Sequence, residues 1–308
     1  YLRKQNKFSE EFLNYLENFR FTGDVWAIPE GTVVFPNEPL ITVRAPIIQA
    51  QLLETMLLLT TNHQSLIATK TSRIVKEAQG RPVMEFGARR AHGINAAVEG
   101  ARAAIIGGAI GTSCTLSAKE FNVPASGTMA HSWVQSFDSE YEAFKTYAEI
   151  YPDDCTLLID TYNTIESGLP NAIKVFNEVL KPKGYKPKAV RLDSGDLAYL
   201  SKKVRKILDE AGYTECKICA TNSLDEYLIK SLIEQDAKID SFGVGENLIT
   251  AKSEPVFGGV YKLVGIEKDT KIIPKIKVSE NVVKVTNPGF KKVYRFYDLS
   301  LIHISEPT

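Results

Sequence analysis

Excess charge of either sign, long apolar runs and cysteine are all scarce in this chain of 308 residues. Lys plus Arg number 37 and Asp plus Glu number 37, so the formal net charge is zero. Non-specific nucleic-acid binding runs on surplus positive charge, and the balance argues against it. It leaves room for a small anion at one local site. The longest nearly unbroken apolar stretch, residues 103–111, is about half of the roughly 20 residues that a membrane span needs. No signal-peptide pattern opens the chain, and its first residue is Tyr1 rather than Met, so the natural start is expected upstream. No repeat or low-complexity segment is visible. Hydrophobic residues at 44% and charged residues at 24% exclude the apolar-poor, highly charged composition of disorder.

The four cysteines are Cys114, Cys155, Cys216 and Cys219. The last two form a CxxC. A redox role would want the first thiol at a helix N-terminus. A zinc site would want a second ligand pair. This pair lies instead on a β-prone run, 217–221, and no second CxxC or HxxxH exists. Buried inert thiols and a reducing cytoplasm are the expectation.

The chain is long enough for one large core or two ordinary ones. Residues 21–46 read as strands, with β-prone runs at 25–28 and 32–35 broken by Pro29-Glu-Gly31 and Pro36-Asn37. Residues 49–78 read as helical, with Leu52, Leu53, Met56, Leu59 and Leu66 on one broad face. From Arg81 onward, short β-prone runs alternate with amphipathic helices. The expected strands are 82–86, 105–111, 123–127, 156–159, Ala189–Leu192, Lys217–Ala220 and 239–242. Leu197, Leu200, Val204, Ile207, Leu208 and Ala211 make one apolar helical stripe, with Gly212 as its C-cap. Ser223-Leu-Asp-Glu226 reads as a capping box opening the next helix. Such alternation implies a mostly parallel sheet, and seven units fit a barrel better than an open sheet. After about residue 255 the alternation stops. Runs at 260–266, 272–278, 282–285 and 292–297 look like antiparallel strands. The expected organisation is therefore a β-rich domain from 1–50 and 256–299 around an α/β barrel at 51–255.

Barrel active sites are built from loops at the carboxyl ends of strands. Here those ends carry Phe86, Arg89 and Arg90; Thr112 and Ser113; His131; Asp160; Asp193-Ser194-Gly195-Asp196, preceded by Arg191; Asn222 and Ser223; and Gly243 and Gly245. The arginines can fork onto phosphate or carboxylate. The helix expected after Ser223 offers free N–H groups to a phosphate. Gly243 and Gly245 let the backbone approach an oxyanion. Asp160 and Asp193 suit ribose hydroxyls or a hydrated Mg²⁺. Each feature also has a plainer reading: a capped turn at Asp193–Asp196, a solvated arginine pair, a structural histidine, a core phenylalanine. The residues alone support a barrel enzyme that handles a phosphorylated substrate.

Five motifs narrow that reading. Glu85-Phe-Gly-Ala-Arg-Arg-Ala, Ser126-Gly-Thr-Met-Ala-His-Ser-Trp133, Ile159-Asp-Thr-Tyr162, Val190-Arg-Leu-Asp-Ser-Gly-Asp-Leu197 and Phe242-Gly-Val-Gly245 occur in this order. Together they closely resemble the bacterial-type nicotinate phosphoribosyltransferase family, over about residues 1–297. The resemblance implies a type II phosphoribosyltransferase fold, an irregular α/β barrel beside an α/β sandwich domain. It implies the conversion of nicotinate and phosphoribosyl pyrophosphate to nicotinate mononucleotide and pyrophosphate, coupled to ATP hydrolysis, in NAD salvage. The nicotinamide-using relative, or a catalytically incompetent fragment, are the alternatives. His131, Arg191 and Asp193 would carry the chemistry, His131 as a transient phosphohistidine. Phe86 would stack under the pyridine. Arg89 and Arg191 would face the pyrophosphate and the base, with Arg90 and Ser194-Gly195 beside them. Asp160 and Asp193 would flank the ribose. Asn222, Ser223, Gly243 and Gly245 would hold the 5′-phosphate, and Ser113 would select the acid over the amide. Mg²⁺ and a homodimer, in the cytoplasm, complete the implied picture. Two departures stand out: Asn163 where relatives carry Asp, and a tail at about 300–308 that reads as foreign to the gene. The family's first segment, with a second aromatic wall for the pyridine, and its C-terminal region would lie outside this chain.

Overall fold

The computed structural model describes residues 1–278, 280, 285–297 and 302–303. The chain divides into two compact units, one of residues 62–258 and one of residues 1–61 with 259–308.

In the first of these units the expected alternation becomes six parallel strands: β1 (Val83–Glu85), β2 (Gly111–Thr112), β3 (Thr156–Leu158), β4 (Ala189–Leu192), β5 (Lys217–Ala220) and β6 (Ser241–Val244). Their spatial order is β2-β1-β6-β5-β4-β3, in a sheet curled as a half-barrel. The strands are short and apolar because helices cover them. Leu157, Leu158, Val190, Leu192, Ile218, Ala220, Phe242 and Val244 are all fully buried. One continuous core runs from Ile67 to Ala251 and takes in Phe144, Phe176 and Phe242. The helix Leu197–Glu210 buries Leu197, Val204 and Leu208, and Gly212 follows it at φ 85°, a left-handed stop that glycine takes without strain.

Several expectations fail for identifiable reasons. Most of 105–111 is not strand. The helix Ile94–Ile106 extends into it, buried through Val98, Ala101, Ala103 and Ala104, and only Gly111–Thr112 pairs with β1. A short apolar run suits a buried helix as well as a buried strand. Residues 123–127 reduce to one parallel bridge, Thr112 with Ala125. The last strand starts two residues late, so Gly243 lies inside β6 rather than after it. The Ser223–Glu226 capping box does not form. The helix Glu226–Glu234 is capped by Asp225, whose carboxylate accepts from the Leu228 N–H.

The long helical segment is two helices, Ile47–Leu52 and Glu54–Glu77. In the second, the buried residues are Ile67, Lys70, Thr71 and Ile74, whereas Leu52, Met56 and Leu59 of the expected apolar face are exposed. The four cysteines are free and buried. Burial pushes the Cys155 and Cys216 thiols up to about 12, so neither is a thiolate at neutral pH.

The second unit has a helix at Glu10–Glu17, capped by Ser9, and an antiparallel pair, Asp24–Ala27 with Ile41–Arg44. A hairpin joins Gly265–Lys268 to Lys271–Pro274. Arg44 and Glu267, 223 positions apart, form a bidentate pair at 2.7 and 2.8 Å that ties the two chain ends. The 32–35 run is not strand, and 260–266 becomes strand only from Gly265. In 272–278 the strand stops at Pro274, and of 292–297 only Phe296–Tyr297 is strand. Most of 282–285 and of the tail 300–308 lies outside the described residues. Among the described residues, no helix is long and apolar enough to cross a membrane.

Candidate active site

The carboxyl ends of β3, β4 and β5 meet in one hydrogen-bonded network. Asp160, 8% exposed, follows β3. Its Oδ2 accepts from the Asp193 N–H at 2.9 Å and from the Ser194 hydroxyl at 2.6 Å. Its Oδ1 is buried without a partner. Asp193 lies just beyond β4. Its Oδ1 accepts from Arg191 Nη2 at 3.0 Å and from the Thr221 hydroxyl, and its Oδ2 faces His131 Nε2 at 3.3 Å. His131 Nδ1 lies 3.1 Å from the Thr161 hydroxyl. Burial pushes the Asp193 carboxyl upward. The Thr221 hydrogen bond, the Arg191 guanidinium and His131 outweigh it and hold the group below the ordinary carboxylate range. Asp193 is therefore ionised at neutral pH. It is acceptor-only, so it fixes the imidazole proton on Nε2 and leaves the Nδ1 lone pair to accept from Thr161.

Arg191 is largely committed inside the protein. Its Nε donates to Thr221 at 3.0 Å, and its Nη1 donates to the Thr128 hydroxyl at 2.7 Å and the Met129 carbonyl at 3.2 Å. With the Nη2 bond to Asp193, it ties the loop that carries His131 to the ends of β4 and β5. Gly195, at φ 78°, turns the chain into the helix that Asp196 caps.

A second cluster forms at β1, β2 and β6. The Phe86 N–H donates to the Val244 carbonyl at 2.8 Å. A Cβ at residue 243 would lie 2.5 Å from the Phe86 ring, so glycine is required there for the ring to lie against β6. Beneath it, fully buried Glu85 accepts from the Gly87 N–H and, at 2.6 Å, from the Thr112 hydroxyl. Burial raises its carboxyl against those two bonds. The Ser113 N–H donates to the Glu85 carbonyl at 2.9 Å, and Ser113 itself is exposed. Arg89 and Arg90 are exposed on the short turn Ala88–Arg90, with Arg90 Nε 3.7 Å from Glu246.

The third element is the β5 loop. Asn222 (φ 84°) and Ser223 (φ 50°) are both left-handed. The structure thus joins His131, Arg191, Asp193, Asp160 and Ser194 directly, sets Phe86 on Gly243, and leaves Arg89 and Arg90 outside both clusters. Asn163 caps the following turn by accepting from the Ile165 and Glu166 N–H groups. Thr128, Thr161, Thr221, Glu85 and Asn247 went unnoticed in the sequence as site-builders. Thr221 and Thr161 sit beside named residues and could have been flagged, whereas Asn247 carries no local signal. Among the described residues, no group of three or more His, Cys, Asp or Glu side chains could hold a metal.

The curled parallel sheet thus carries paired carboxylates, a histidine and glycine-bearing turns at its carboxyl rim. A family model for the nicotinate phosphoribosyltransferase (NAPRTase) family matches residues 82–286, and one for its N-terminal domain matches residues 1–62. The chain belongs to the nicotinate phosphoribosyltransferase family. It is 51% identical over 303 residues to the nicotinate phosphoribosyltransferase of Bacillus subtilis, covering 98% of this chain and 61% of that protein. The structure of human nicotinic acid phosphoribosyltransferase aligns with a TM-score of 0.80 at 27% identity, over 94% of this chain and 65% of that one. That of nicotinate-nucleotide pyrophosphorylase from Pyrococcus furiosus aligns with a TM-score of 0.66 at 31% identity, over 75% of this chain and 58% of that one. The chain thus spans about three-fifths of the length of its curated relative.

Proposed function

We propose that this chain carries the reacting centre of an enzyme that transfers the phosphoribosyl group to nicotinate, releasing pyrophosphate, with ATP as co-substrate. The observation that carries this reading is the His131–Asp193–Arg191 network held against Asp160 at the ends of β3 and β4. Displacing pyrophosphate from the ribose carbon builds positive charge on the sugar and negative charge on the leaving group. An ionised Asp193 and the unpartnered Oδ1 of Asp160 favour the first. The exposed Arg89 can swing onto the second, as can Arg90 on leaving its 3.7 Å pair with Glu246. Fixed acceptors such as Asp193 and Asp160 cost no reorganisation when charge develops.

His131 is the acceptor of the ATP γ-phosphoryl group in this reading. With the proton fixed on Nε2, the Nδ1 lone pair attacks phosphorus and ADP departs. The Asp193 carboxylate stabilises the charge that then develops on the ring. The Asp160 Oδ1, buried and unpaired, and the Asp193 carboxylate fit an Mg²⁺ ion that enters with the phosphates, which would neutralise their charge. Phe86 offers its face to the pyridine. Asn222, Ser223, Gly243 and Gly245 hold the 5′-phosphate, and Ser194-Gly195 close the ribose side. The active form is a homodimer in this reading.

Ser113 favours the acid. Its hydroxyl can donate to a carboxylate, whereas an acidic residue there would repel nicotinate. A site built to pair one polar group rejects an analogue lacking it strongly. The test compares mononucleotide formation from nicotinate and from nicotinamide, in the parent protein and in Ser113→Asp. The expected result is that the parent uses nicotinate well and the variant uses it poorly. Equal use of nicotinamide by the parent would overturn the specificity, and no mononucleotide from either would overturn the activity.

A further inference from the structure

Asn247 lies in the short helix Glu246–Ile249 that follows β6, and its side chain is buried, 8% exposed. It does not point back along its own loop. Its Nδ2 donates one proton to the Ser223 carbonyl at 2.9 Å and one to the Leu224 carbonyl at 3.1 Å. Those carbonyls belong to the loop after β5, whose residues Asn222 and Ser223 hold left-handed backbone angles. Left-handed geometry is costly for a residue with a Cβ and persists only where its surroundings over-determine it. Leu224, 1% exposed, anchors the far side of that loop in the core. Among the described residues, the N–H groups of Asn222, Ser223 and Leu224 have no acceptor. The same amide that draws two carbonyls inward therefore leaves the loop's donors unspent.

We infer that Asn247 is the positioning residue that locks the β5 loop to the β6 loop, so that the Asn222–Ser223 and Gly243–Gly245 segments meet one phosphate group at a fixed spacing. The inference rests on the reading of those two loops as the 5′-phosphate site. An amide is the side chain suited to this task. It supplies two donors from one atom on a short stem, whereas Asp supplies none and Ser or Thr only one. Without it, one buried and one part-buried carbonyl lose their partner and the loop relaxes toward ordinary backbone angles.

The test titrates phosphoribosyl pyrophosphate into the parent protein and into Asn247→Ala by calorimetry, and measures KM for each substrate. The expected result is binding weaker by at least about tenfold, matched by a rise in KM for phosphoribosyl pyrophosphate. The KM for nicotinate should stay within about twofold, because Phe86 and Ser113 are untouched. If Asn247→Ala does not fold, Asn247→Asp keeps the volume, removes both donors and is expected to give the same split. Unchanged affinity with a lowered melting temperature would reduce Asn247 to packing and overturn the inference alone. A parent protein that does not bind phosphoribosyl pyrophosphate would overturn the loop assignment, and the inference with it.

Discussion

Residues 62–258 and the unit built from the chain's two ends solve the folding problem differently. In the first, most strand residues and one face of most helices enter one large core, with a small satellite around Val98, Ala101 and Cys114. In the second, among the described residues, Leu13 is the one buried large apolar side chain. Val25, Trp26, Val33, Ile47, Met56 and Leu59 are exposed there, and polar ties such as Arg44–Glu267 do much of the joining. Exposed ion pairs are worth only about 0–1 kcal/mol each, whereas burying a large apolar side chain is worth about 1.5–3 kcal/mol. The barrel unit is therefore the stable frame, and the proposed chemistry sits on its rim, where side-chain positions are most firmly set.

The sharpest way to break this contrast is a pair of truncations. Phe176→Ala, at a fully buried position, should cost about 3–5 kcal/mol. Trp26→Ala, at a site 45% exposed whose ring meets Phe290 edge-on at 5.0 Å, should cost about 1 kcal/mol. Urea unfolding of both variants checks this, and equal losses would dissolve the contrast.

On the rim itself, Gly243→Ala puts a methyl group into the Phe86 ring. It should destabilise by about 1–3 kcal/mol and raise the KM for nicotinate more than that for phosphoribosyl pyrophosphate. An even rise in both would mean that Phe86 does not face the base.

A smaller effect separates the units by pH. The folded-state pKa of Asp193 lies below its unfolded value of about 3.9. Its contribution is thus fully present above that value and is lost as pH falls through the lower folded one. Asp193→Asn should show a flatter loss of stability below about pH 4 than the parent, read from denaturant midpoints between pH 2.5 and 5. Parallel curves would contradict the ionised, paired state. The smallest effect concerns the thiols. With Cys155 and Cys216 raised to about 12, a thiol reagent at pH 8 should label neither before unfolding.

Legibility in the sequence followed the same division. Ala189–Leu192 and Lys217–Ala220 were readable to the residue, because β-prone runs between strong amphipathic helices leave little choice. The 105–111 stretch misled because the last turn of the helix, residues 103–106, is wholly apolar and leads to the short strand with no polar residue to mark where one ends and the other begins. Apolarity at Leu52, Met56 and Leu59 wrongly implied a buried face, since burial depends on neighbours that periodicity does not name. In the site, motif residues were legible as chemistry: His131, Asp160 and Asp193 do converge. Their supports were not. Asn247 reaches the β5 loop across 24 positions, and Glu85 matters because Thr112, 27 positions away, meets it. Such contacts exist only once the sheet has set its strand order.

The central claim is that His131, held by Asp193 and Thr161, is the reacting nucleophile of this rim. Incubation of the purified protein with γ-labelled ATP tests it most directly. One acid-labile, base-stable label per chain is expected, absent from His131→Asn and diminished in Asp193→Asn. Label that persists in His131→Asn, or a parent protein that takes up none, would contradict it.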